Sequence, residues 1–87
     1  MTDTNEAGAR IEADRVAIDR LDVRIIDLLA ERARISARIQ QSRMHSGGPR
    51  MVFSREMDIL SRYQDGLGAG GTQIAMNVLK LCRGEGL

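Results

Sequence analysis

The sequence predicts an all-α protein, one long helix and two short ones per chain, assembled as a two-fold helical homodimer. Three observations carry that expectation. Ile18, Leu21, Ile25, Leu28, Arg32, Ile35 and Ile39 follow at spacings of three and four, the period of one buried helix face. From Ala9 to Arg43 the chain holds neither Pro nor Gly. The apolar content of 43% includes one Phe, one Tyr and no Trp, so the core must be built from Ile, Leu, Val, Met and Ala, which suit helices better than sheets.

Each element follows from its own signals. Residues 1–8 (MTDTNEAG) are polar and unpatterned, and are expected to form a disordered tail before a single helical domain over 9–87. The first helix should run from about Ala9 to Arg43 and break in the stretch His45-Ser46-Gly47-Gly48-Pro49. Ser54 is the expected N-cap of a second helix from about Arg55 to Gln64. The glycine-rich run Gly66 to Gly71 reads as a flexible connection. Thr72 is the expected cap of a third helix, about Gln73 to Arg83, which Gly84 ends.

Helix lengths then bear on assembly. At 1.5 Å per residue the first helix spans roughly 50 Å and the others about 15 Å each. Two such short helices cannot cover the long seam, and a monomer would leave an Ile/Leu stripe in water. A two-fold dimer with the long helices packed together solves this economically.

Composition also excludes classes of function. A formal net charge of +1 gives no general attraction to nucleic acid, and the scarcity of aromatics removes stacking platforms for single strands. The lone Cys82 fits a reducing, cytoplasmic setting. No run of about 18 apolar residues and no basic-then-apolar N-terminus is present, so neither a membrane span nor a signal peptide is expected. His45 has no second His or Cys nearby to make a metal site, and the Gly66–Gly71 run lacks the strand and lysine of a phosphate loop. No metal or cofactor is expected.

The chemistry lies in the charges. A guanidinium in an apolar seam stays ionised, so Arg32 needs an anionic partner, from the protein or from a ligand. Arg43, eleven residues on, returns to nearly the same face about 16 Å along the axis. Two arginines so placed suit the opposite ends of a small dianion. Arg15 lies seventeen residues before Arg32 and faces roughly 100° away, which suits a neighbouring chain's pocket. On the second helix Glu56, Ile59, Leu60 and Tyr63 form an inward stripe, with Arg55 beside Glu56 and Val52 one turn earlier. One glutamate cannot neutralise these cations, and an anionic ligand is the natural missing partner. Plainer readings stand beside this one: a seam arginine can set register, and Glu56 can pair with Arg32 or favour its own helix N-terminus. Ser36, one turn from Arg32, is a further candidate for the pocket wall.

The segment Arg15-Val16-Ala17-Ile18-Asp19-Arg20-Leu21-Asp22, then Leu28-Leu29-Ala30-Glu31-Arg32, Arg43 and Arg55-Glu56 resembles the all-helical class of chorismate mutases in order and spacing. The resemblance covers about residues 11–83. It is closest to the short actinobacterial-type subclass, with its Ser-Gly-Gly loop and the Ser-Arg-Glu-Met run at Ser54 to Met57. It implies an intertwined dimer that rearranges chorismate to prephenate on the way to phenylalanine and tyrosine, without cofactor or metal. By position, Arg32 would bind one substrate carboxylate and Arg15 of the other subunit the second. Arg43 would meet the ether oxygen and a carboxylate, and Glu56 would accept a hydrogen bond from the ring hydroxyl. Arg55 would help to line and charge the site.

Two departures from the family pattern matter. Val52 stands where better-known relatives carry an acidic residue, and the tail Leu81-Cys82-Arg83-Gly84-Glu85-Gly86-Leu87 offers no Gln at the usual second ether-oxygen position. Both imply modest activity alone. In the short subclass, docking onto DAHP synthase raises activity by reordering the C-terminal segment, which makes that enzyme an expected partner. Three rival readings stay open: an isochorismate-pyruvate lyase, a mutase of an amino-substituted chorismate, and a non-enzymatic helical dimerisation or regulatory module.

Overall fold

The structure, a computed structural model, describes residues 2–49 and 51–85, with the backbone alone at positions 2–4. It contains three helices: α1 (Thr2–Ser46), α2 (Phe53–Leu67) and α3 (Gly71–Cys82). Forty-five residues at 1.5 Å each make α1 about 67 Å long. The longest dimension of the molecule is 68 Å, so α1 alone sets its length.

α1 is longer than expected at both ends. Positions 2–8, read as a disordered tail, are helical instead, while Met1 lies outside the described residues. Gly8 is the weakest helix former there, at about 1 kcal/mol against Ala, too little to stop a helix propagating from a strong segment. At the other end the helix runs past Arg43, so His45 occupies its last turn and not a loop. Gly47, at φ 75°, stops it, and the Gly48 N–H bonds back to the Arg43 carbonyl at 2.8 Å.

α2 starts earlier than its sequence signal. Val52 holds the N-cap in an extended conformation without a side-chain cap bond, and its carbonyl accepts the Glu56 N–H at 3.1 Å. Ser54 is therefore already inside the helix, whose first turn Glu56 complements electrostatically. The far end runs through Gly66 to Leu67, leaving only residues 68–70 as the connection. Gly70 takes the N-cap of α3, and Thr72, expected there, is its second residue.

Gly71 explains how α3 folds back so tightly. A Cβ at this buried position would lie 2.3 Å from the Tyr63 carbonyl oxygen and 2.7 Å from its carbon. Only glycine permits that approach of α3 to α2. At the other end, the Gly84 N–H bonds to the Leu81 carbonyl and the Glu85 N–H to that of Lys80, each at 3.0 Å. With Gly84 at φ 80°, this is the paired-bond terminator that needs a left-handed residue, and it fixes Arg83 as the C-cap.

α3 packs against both other helices, whereas α1 and α2 do not come together among the described residues. Ile59, Ala75, Val78 and Cys82 are buried, and Cys82 is the small core residue its place on α3 suggested. The seam of α1 is different. Ile18, Leu21, Ile25 and Leu28 are 54%, 50%, 50% and 60% exposed on the single chain. Of the described helices only α3 packs on α1, and even Ile35 and Ile39 towards its C-terminal end stay 40% and 47% exposed. No described helix is long and apolar enough to cross a membrane.

Candidate active site

Because α3 holds α1 and α2 apart, a cavity of about 220 Å³ opens between them. The wall from α1 is Arg32, Ser36 and Gln40, at successive steps of four, with Ile35, Ile39 and Arg43 along the same face. α2 and its cap contribute Val52, Arg55, Glu56 and Ile59, at i, i+3, i+4 and i+7. Leu79, Cys82 and Arg83 close the floor from the end of α3. The lining combines apolar side chains with a few convergent charges, the pattern of a small-molecule site.

Five of the six site residues expected from sequence thus share one cavity: Arg32, Arg43, Val52, Arg55 and Glu56. Arg32, Arg43, Val52 and Glu56 are half-buried, and Arg55 is exposed at the rim. Arg15 is elsewhere. It lies seventeen residues up the same helix, about 25 Å from Arg32. There its side chain is 71% exposed, with Nη1 3.9 Å from Glu12 Oε2. No side chain spans such a distance, so Arg15 cannot serve the cavity of its own chain.

Among the lining residues not assigned to the site from sequence are Gln40, Cys82 and Arg83. Gln40 was legible in hindsight, eight residues after Arg32 and so on its face. Cys82 was read only as core. Arg83 carried no signal, because it follows the last periodic position of α3 and meets the site only through the fold. Its Nη1 donates to both oxygens of Glu56, at 2.5 and 3.0 Å, with the two side chains 22% and 16% exposed. On its other side Nη2 lies 3.3 Å and Nε 3.4 Å from Glu85 Oε2. Glu56 therefore pairs with Arg83, and the alternative pairing with Arg32 is not formed. Arg32 and Arg55 make no ion pair among the described residues.

Chemically, the cavity offers guanidinium groups from three directions and a single carboxylate. Such a set binds a compact polyanion and stabilises negative charge developing on an oxygen. Among the described residues no group of three His, Cys, Asp or Glu is placed to hold a metal ion.

Comparison with known proteins agrees with that chemistry. Residues 14–80 match the family model described as chorismate mutase type II. The chain is 44% identical over 85 residues to the intracellular chorismate mutase of Mycolicibacterium smegmatis, covering 98% of this chain and 82% of that protein. It is 46% identical over 75 residues to the protein of the same description from Mycobacterium tuberculosis H37Rv, covering 86% and 70%. Among solved structures, it superposes with TM-score 0.85 and 36% identity on a chain of the non-covalent complex of DAHP synthase and chorismate mutase from Corynebacterium glutamicum, which contains a bound transition-state analogue. That match covers 93% of this chain and 98% of the other. The chain therefore belongs to the type II chorismate mutases, isomerases that convert chorismate to prephenate.

Proposed function

We propose that the cavity between α1 and α2 is the site of this rearrangement and that a second copy of the chain completes it. The observation that carries the reading is the convergence of Arg32, Arg43 and Arg55 around one carboxylate, with Arg15 stranded about 25 Å along the same helix. In an antiparallel pairing of two α1 helices, the Arg15 of one chain falls beside the Arg32 face of the other. The half-exposed Ile/Leu seam supplies the driving force for that pairing.

The reaction is an intramolecular [3,3] shift. One C–O bond breaks as one C–C bond forms, so no nucleophile, cofactor or obligatory proton transfer is needed. Catalysis then rests on holding the chair-like conformer and stabilising charge separation along the C–O bond. Arg32 and the second chain's Arg15 grip the two carboxylates. Arg43 meets the ether oxygen as negative charge grows there, in a pocket poor in water. Glu56 accepts the ring hydroxyl proton in a hydrogen bond, and Arg55 at the rim adds to the field that draws in the dianion.

The test is chorismate turnover with product identification, in wild type and Arg43→Ala. The expected result is prephenate from wild type and a loss of about a hundredfold or more in a folded mutant. Pyruvate released from isochorismate, without turnover of chorismate, would assign the chain to lyase chemistry instead. A DAHP synthase is the proposed partner, supported by the corynebacterial relative solved in complex with one. Addition of the cognate synthase should raise kcat/KM, and unchanged kinetics would count against the partnership. The relatives' description as intracellular enzymes is consistent with a site of action inside the cell.

A further inference from the structure

We propose that Arg83, by holding Glu56 as an already paired carboxylate, sets this pocket to accept a substrate with a neutral hydroxyl on the ring and to refuse the analogue bearing an ammonium there. The inference rests on the chorismate reading and narrows its substrate class.

The charged and titratable groups facing the cavity are Arg32 and Arg43 from α1, Arg55 and Glu56 from α2, and Cys82 and Arg83 from the end of α3. Glu56 is the only carboxylate among the lining residues. An ammonium substituent needs an anionic acceptor to offset its desolvation. Here both oxygens of that acceptor already take hydrogen bonds from the Arg83 guanidinium, and the pair is largely shielded from water. A second cation at Glu56 would stand beside Arg83, inside a ring of further arginines. Val52, one turn before Glu56, supplies no second carboxylate. A hydroxyl meets no such conflict: it donates to a remaining lone pair of Glu56 and brings no charge. Discrimination of this kind comes from a repulsive element as much as from an attractive one.

Arg83 would act through Glu56 and is in that sense a positioning residue. Its guanidinium is in turn held by Glu85 and by the Gly84 terminator of α3, so its placement is built into the end of the helix.

The test measures kcat/KM for chorismate and for 4-amino-4-deoxychorismate in the full chain. Wild type is expected to favour chorismate by at least about tenfold, roughly 1.4 kcal/mol. Arg83→Met, which removes the charge, should shrink that preference by about tenfold, and Arg83→Lys should keep it. Equal use of both substrates by wild type, or a preference unmoved in folded Arg83→Met, would overturn the inference. Should Arg83→Met fail to fold, the pH profile of wild type decides. Turnover of the amine should climb as its ammonium deprotonates, with no matching rise for chorismate; parallel profiles would overturn the proposal. Failure of wild type to turn over chorismate at all would instead strike the chorismate reading itself.

Discussion

Subunit complementation tests the shared pocket most directly. Arg15 and Arg32 are about 25 Å apart on one helix, so in the proposed two-fold pairing each complete site combines Arg15 of one chain with Arg32, Arg43 and Glu56 of the other. Arg15→Ala and Arg43→Ala homodimers should each lose about a hundredfold in kcat/KM. Now let the two chains be unfolded together and refolded at equal concentration. Half of the dimers are then mixed, on the statistics of a two-fold pairing. In each mixed dimer one site receives both intact arginines and the other receives neither. The mixture should therefore recover about one quarter of wild-type activity, some 25-fold above either parent, as expected for an isologous two-fold assembly. Initial rates of chorismate loss suffice as the assay. No recovery, with mixed dimers demonstrated by tagged chains, would refute the shared site, and so would full activity of Arg15→Ala alone.

Three other outcomes follow from the packing. Gly71→Ala should destabilise the fold by about 1–3 kcal/mol in urea titration, because its methyl group would overlap the Tyr63 carbonyl and helix propensity returns only part of that cost. Leu21→Asp, in the exposed half of the seam, should leave a helical but monomeric protein by sedimentation and abolish turnover; a dimer of normal activity would show that the seam is not the interface. Gly84→Ala forces a side chain into left-handed backbone at about 1 kcal/mol, readable as a lowered Tm, and should weaken turnover through displacement of Arg83.

Periodicity made most of the site legible. Arg32 and Arg43 share a helix face by spacing alone, and Glu56 points inward because Ile59 and Tyr63 follow it at three and seven residues. The helix stops at Gly47 and Gly84 were legible too, since a left-handed residue is what ends an α-helix most cheaply. The starts were not. Ser54 and Thr72 are good capping residues by type, but Val52, in an extended conformation, takes the N-cap of α2, and the tight return at Gly71 puts Gly70 at the N-cap of α3. Gln40 needed only the same rule carried one step further. Arg83 was of another kind: its partner is 27 residues away, and no local pattern registers a contact made between two helices.

Among the described residues, α3 is the spacer between the walls that carry the arginines of α1 and the carboxylate of α2. It works as a strut about 18 Å long, joined to α2 by residues 68–70. Each degree of tilt moves its far end by about 0.3 Å, so three or four degrees amount to an ångström, and an ångström of misplacement can cost a hundredfold in rate. Catalytic quality in this protein is therefore an angular tolerance. Whatever braces the strut, a second chain or a partner enzyme, can tune the rate without touching a substrate atom.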